Sequence, residues 1–228
     1  VNFRKALSYA VDKEIIADKI YSGLTKPAFS IIPPGFPGYS PNIEGLSFNE
    51  ELAKEYLAKS KYADPANRPR IIVTIPGTGG SPGLDTEVIS DMWKETLGVE
   101  VEIQQVEWAT YLQDMNRKRL QLWAGSGWQA DYADPQDFID VLFYSKSDVN
   151  HGNYSNSEVD DLILEARTEI DNNRRFLLYN QAEQMIVDDA AIFPLWFDTD
   201  GYALVKPWVK GYEFTPIIVP KFKDVQIN

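Results

Sequence analysis

Apolar and polar positions change period several times along this chain, and each change marks an element. Phe3, Leu7, Ala10 and Val11 fall at helical spacing, so the chain is expected to open on a helix. Asp12 is placed to cap a second helix over residues 13–21, ended by Gly23. Residues 24–42 are rich in proline and glycine and predict an irregular surface path. Asn49 is placed to cap a helix over 50–59, with Leu52, Tyr56 and Leu57 turned inward. From Arg70 the pattern alternates. A β-branched strand is expected over 71–75, a loop over 77–83, and a helix over 84–97 stopped by Gly98. A half-buried strand over 99–106, a helix over 107–117 and a strand over 120–123 follow. Further on the pattern predicts helices over 136–143, 158–170 and 174–187. Strands are expected over 191–197 and 202–205 around the turn cluster Asp198-Thr199-Asp200-Gly201, and a last one over 224–227. Strands alternating with helices imply an α/β lobe with a mainly parallel or mixed sheet flanked by helices.

The stretch Gly127-Trp128-Gln129-Ala130-Asp131-Tyr132-Ala133-Asp134-Pro135 joins a strand to a helix. Asp134 reads as the N-cap, Pro135 as the first helical residue and Asp137 as the third. Trp128 and Asp131 then sit on a strand-to-helix loop, beyond the carboxyl ends of the strands, where open α/β sheets bind ligands. Trp108 opens a helix after the preceding strand, on the same side of the sheet. A flat ring and a carboxylate three residues apart suit an organic cation such as an amine. The same pattern also accommodates Trp128 in the core and Asp131 capping a turn. Arg117 likewise fits either an acidic ligand group or plain solvation.

Composition narrows the chemistry. The net charge of −12 disfavours nucleic acid and anionic membrane surfaces, whose phosphates would repel the chain. Without cysteine there is no disulfide, no zinc–thiolate site and no cysteine nucleophile. His151 is the only histidine, which argues against a metal centre or a catalytic triad, and no cofactor is expected. No stretch approaches the ~18 apolar residues of a membrane span. The chain starts at Val1 rather than Met, so it is expected to be a piece of a longer protein, and the lack of a signal peptide says nothing about compartment. The loop over 77–83 lacks the Lys-Ser/Thr ending of a phosphate-binding loop and reads as a connection. Asp131 and Asp134 could form the carboxylate pair of a glycan-active enzyme, but Asp134 already has a capping role.

Ordered matches along nearly the whole chain carry a resemblance. They are Arg4-Lys5-Ala6-Leu7-Ser8-Tyr9-Ala10-Val11-Asp12-Lys13; Pro33-Pro34-Gly35; Val106-Glu107-Trp108 with Tyr111-Leu112; and Gly127-Trp128 with Ala130-Asp131-Tyr132 and Asp134-Pro135. Asn153-Tyr154-Ser155-Asn156, Glu183, Leu204-Val205-Lys206-Pro207, Val209-Lys210-Gly211-Tyr212 and Phe222-Lys223-Asp224-Val225 continue the series. The chain resembles the C-terminal part of the family 5 extracellular solute-binding proteins, the oligopeptide- and dipeptide-binding components of ABC importers. The resemblance implies a periplasmic-binding-protein-like (class II) lobe, a mixed sheet flanked by helices. It implies that residues 1–200 are the second ligand-binding lobe and that 201–228 return to a first lobe. In peptide-binding members the residue matching Asp131 pairs with the ligand ammonium, main chain near Gly127 and Gln129 pairs with the peptide backbone, and the residue matching Trp108 lines a side-chain pocket. Gly125 stands where some oligopeptide binders carry a basic residue, and Arg117 is an approximate substitute upstream. The implied substrate-binding set is therefore Asp131, Trp128, Gln129, Gly127, Trp108, Arg117 and Phe197. The implied protein is a non-enzymatic, monomeric receptor, periplasmic or extracellular or lipid-anchored at the cell surface. It would take a peptide or small molecule to a membrane permease, without nucleic acid. Sugar and nickel-complex binders belong to the same family.

Overall fold

The computed structural model describes residues 1–198, 205–213 and 222–227. The helices are α1 (Asn2–Tyr9), α2 (Lys13–Ile15), α3 (Glu50–Ala58), α4 (Leu84–Leu97), α5 (Trp108–Asn116), α6 (Gln136–Phe143), α7 (Ser157–Thr168) and α8 (Asn172–Asp188). The strands are β1 (Thr25–Pro27), β2 (Ile71–Pro76), β3 (Val101–Val106), β4 (Leu122–Trp123), β5 (Trp196–Asp198), β6 (Val209–Lys210) and β7 (Gln226–Ile227). The expected local signals set several ends. Asp12 accepts the Glu14 and Ile15 amides, Asn49 accepts the Leu52 amide, and Gly98 ends α4 at φ +59, a conformation that glycine adopts at little cost. Beyond Ile15 the second helix widens into a π-turn over Ile16–Ile20.

The main sheet is parallel, in the order β3-β2-β4, with Ile71 opposite Val101 and Val73 opposite Leu122. Ile71, Val73 and Ile75 join Ala6, Leu7, Ala10, Ala53, Leu57, Ile89, Trp93 and Leu97 in one core, so β2 is packed under α1, α3 and α4. A second core lies between α6, α7 and α8, built on Phe138, Ile139, Phe143, Val159, Ile163, Tyr179 and Ile186. Arg4 ties the two: its guanidinium donates to the carbonyls of Ala190 and Asp189 beyond the end of α8, both at 2.8 Å. A cation is favoured there because those carbonyls lack helical partners.

Two expectations change. On α3 the buried residues are Ala53 and Leu57, with Leu52 and Tyr56 half-buried; the small Ala53 lets α1 approach closely, and Tyr56 stacks on Tyr9 instead. The strand expected over 191–197 shrinks to β5. Phe193 and Leu195 pack on the first core from irregular backbone, and an apolar run alone does not distinguish that from a strand. β5 pairs antiparallel with β1 and not with the main sheet. The strand expected over 202–205, apart from Val205, and the turn residues Thr199, Asp200 and Gly201 lie outside the described residues. In the tail β6 pairs antiparallel with β7.

The proline-rich path behaves as a strap. Lys13, buried, donates to the Ala28 carbonyl at 3.0 Å. Glu183 of α8, fully buried, accepts the Ile31 and Ile32 amides at 2.6 and 2.9 Å. Gln184 both accepts from and donates to the main chain of Glu44. Held in this way, the strap lays Phe36 edge-on against Phe138 of α6 and brings Gly38 against Pro135. It therefore buttresses the start of the helix that follows the central loop.

Candidate functional site

β2, β3 and β4 end at Pro76, Val106 and Trp123, so their following loops share the carboxyl edge. Gly77 donates to the Val106 carbonyl and Ala124 to that of Thr74, which holds this edge together. Gln105 accepts the Gly79 amide and donates to the Gly80 carbonyl, pinning the glycine-rich connection. Asp85 and Glu87 occupy the first turn of α4, so a bound anion would meet negative charge there.

Glu107 caps α5, accepting the Ala109 and Thr110 amides. That cap puts Trp108 at the first helical position, half exposed and stacked on the Tyr111 ring at 5.7 Å. Tyr111, fully buried, donates from its hydroxyl to the Ala124 carbonyl at 3.2 Å and shares a 2.9 Å hydrogen bond with Ser126. Trp108 is thus linked through Tyr111 to the start of the central loop. In that loop Gly127, Trp128, Gln129 and Asp131 are exposed, whereas Ala130 and Pro135 are buried. The core reading of Trp128 does not hold.

The sequence places aspartates at 131, 134, 137 and 140, every third position. The protein engages three of them. Asp134 accepts the Gln136 amide ahead of α6, whose N-cap is Pro135, one residue later than expected, and takes a two-pronged ion pair from Arg175, at 2.9 and 2.6 Å. Burial pulls its pKa up, but Arg175 and the Gln136 amide outweigh this and hold it below the ordinary value. Asp140, buried, takes a two-pronged pair from Arg167 at 2.8 Å on each side. Asp137, also buried, accepts the Asp131 amide at 3.0 Å and the Trp128 indole N–H at 3.3 Å. The Asp131 carboxylate has no hydrogen bond or ion pair to any described residue. It contributes its amide to the loop and keeps its charge free, which also removes the turn-cap reading. The local field is negative: burial first, and then the charges of Asp137, Asp134, Asp140 and Asp131, raise the pKa of the Tyr132 hydroxyl.

Two residues of the expected set stand apart. Arg117 is the exposed C-cap of α5 and makes no ion pair among the described residues. Phe197 is half-buried on β5, opposite Lys26, in a different sheet. An open cavity of about 410 Å³ lies behind the loop, lined by Asp134, Gln136, Ala166, Arg167, Arg175 and Tyr179. Its arginines are already paired with Asp134 and Asp140, so it is a neutral clasp between α6, α7 and α8. Asp134, one of the two carboxylates a glycan-active enzyme would use, is engaged by both the Gln136 amide and Arg175. Asp137 and Tyr111, which position the loop, were visible in the sequence only as a helix-start acid and a matched aromatic.

The family described as bacterial extracellular solute-binding proteins, family 5 Middle, matches residues 1–150. The chain belongs to this family. It is 29% identical over 231 residues to the oligopeptide-binding protein OppA of Bacillus subtilis (strain 168), covering 99% of this chain and 41% of that protein. It is 33% identical over 217 residues to the periplasmic OppA of Escherichia coli (strain K12), covering 93% and 39%. Among solved structures, the murein tripeptide binding protein MppA of Escherichia coli superposes with a TM-score of 0.83 at 27% identity, covering 99% of this chain and 45% of that one. The chain spans about two fifths of the length of the curated relatives it matches. The chain shares the α/β fold of these relatives.

Proposed function

We propose that this chain is one wall of a solute receptor that captures short peptides and delivers them to the permease of an ABC importer, outside the cytoplasmic membrane. The observation that carries the reading is the free Asp131 carboxylate beside the exposed Trp128 at the carboxyl edge of a parallel sheet. A ligand ammonium buried against this wall needs a counter-charge, and charge-assisted hydrogen bonds are the strong ones. The exposed main chain at Gly127 and Gln129 is open to an extended peptide, which gives affinity without side-chain preference. Trp108 and Trp128 supply apolar area for a ligand side chain, and Arg117 a cation for a ligand carboxylate. In this reading residues 1–200 form the second ligand-binding lobe, which carries Phe197, and residues 201–228 are the return to a first lobe. The names of the two OppA relatives and of MppA, all peptide binders, support the peptide class. The role is binding without chemical turnover.

Mass spectrometry of solute retained through native purification of the complete protein tests the class. Short peptides with free amines are expected. A sugar or a metal complex as the retained solute overturns the peptide reading.

A further inference from the structure

We infer that Asp137 is the positioning residue of the central loop: one buried carboxylate oxygen gathers the Trp128 indole N–H and the Asp131 main-chain N–H and so presents the Asp131 carboxylate to the ligand. The inference rests on the amine-binding reading above and names what makes that site specific.

Side chains on a helix lean toward its N-terminus, so a residue in the first turn of α6 reaches back over the chain that enters the helix. Asp137 does this: its Oδ2 accepts from Asp131 at 3.0 Å and from Trp128 at 3.3 Å, while only 1% of the residue is exposed. The Trp128 ring and the Asp131 main chain are therefore held by the same atom. The helix beneath is rigid, with Phe138, Ile139 and Phe143 in the core and flanking aspartates locked to Arg175 and Arg167. A binding group set on such an element keeps its geometry without help from the ligand. The arrangement has an electrostatic cost. Asp137 Oδ1 is buried with no hydrogen-bond partner, and burial first, then the Asp131 and Asp134 charges, oppose the ionised form. A ligand cation at Asp131 relieves part of that repulsion, which a neutral ligand does not.

The test uses the complete protein with trialanine and N-acetyl-trialanine as probes, in wild type, Asp137→Leu, Asp137→Asn and Asp131→Asn. Leucine removes the acceptor, whereas asparagine keeps one oxygen in place. Asp137→Leu is expected to reduce the preference for the free amine about tenfold or more, and Asp137→Asn by less than about threefold. The Trp128 indole N–H resonance, assigned with Trp128→Phe, should move in Asp137→Leu and stay in Asp137→Asn. In wild type the Asp131 amide should exchange at least about tenfold more slowly than those of Gln129 and Tyr132. An unchanged preference in Asp137→Leu, with the preference lost in Asp131→Asn, overturns the positioning role and leaves the amine reading standing. An unchanged preference in Asp131→Asn overturns the amine reading and the presentation of Asp131 with it. An unprotected Asp131 amide overturns the positioning role whether or not any variant folds.

Discussion

The Glu183 carboxylate accepts the Ile31 amide at 2.6 Å across 152 residues of sequence, and the same oxygen accepts the Ile32 amide. Its other oxygen is buried without a partner. Burial, opposed by the two amides, raises the Glu183 pKa from 4.5 to about 7. The native state therefore holds a proton that the unfolded chain releases between those values. The Glu183 contribution to stability should be greatest below pH 4.5 and be lost as pH rises to about 7. Glu183→Gln keeps an acceptor and removes the charge, so chemical denaturation across this window should show a flatter stability profile than wild type. Parallel profiles would contradict the assignment. Glu183→Ala leaves two buried amides unpaired and should cost about 2–5 kcal/mol.

Arg175 and Asp134 fasten α8 to the start of α6. Arg175→Met should destabilise the protein by about 1–3 kcal/mol near neutral pH, since it leaves a partly buried carboxylate without its charged partner. The folded Asp134 value is depressed, so the pair's contribution is present above the unfolded value of 3.8 and is lost as pH falls through the folded one. Urea titrations of both proteins should therefore converge in acid. A difference that persists at the lowest pH would mean that Arg175 acts by packing on Phe176 and Tyr179 rather than by charge.

Gly125 turns the chain out of β4 at φ +79, and a Cβ there would lie 2.9 Å from Pro76 Cδ. Gly125→Ala should cost on the order of 1–2 kcal/mol and disturb the carboxyl edge where β2 and β4 end. Thermal denaturation checks the first effect, and the Trp128 indole resonance the second. Unaltered values for both would show that the turn relaxes freely. A basic side chain at this position would require the turn to move.

What the sequence revealed follows the range of the interactions. Asp12, Asn49 and Gly98 act within their own turns, and their local patterns placed three helix ends. The alternation from Arg70 onward disclosed a sheet flanked by helices because each strand and helix carries its own period, but it left open whether that sheet was parallel or mixed, and the structure makes β3-β2-β4 parallel. Arg4, Lys13 and Glu183 stood out only as matched residues. Their partners, Ala190, Ala28 and Ile31, are fixed by tertiary packing, and no local pattern announces them. The same holds within the site. Trp128 and Asp131 were legible as a ring and a charge on a loop. That Asp134, Asp137 and Asp140 are engaged while Asp131 is free depends on Arg175, Trp128 and Arg167 arriving in space. Phe197 shows the converse, since the structure sets it in a separate antiparallel ladder.

The central claim is that Asp131 receives a ligand ammonium. Calorimetry of the complete protein and its Asp131→Ala variant, each with trialanine and N-acetyl-trialanine, measures this most directly. Removing the carboxylate from a buried charge pair should cost the free-amine peptide on the order of 2–5 kcal/mol of binding and the acetylated peptide much less. Equal losses for the two peptides would contradict the account.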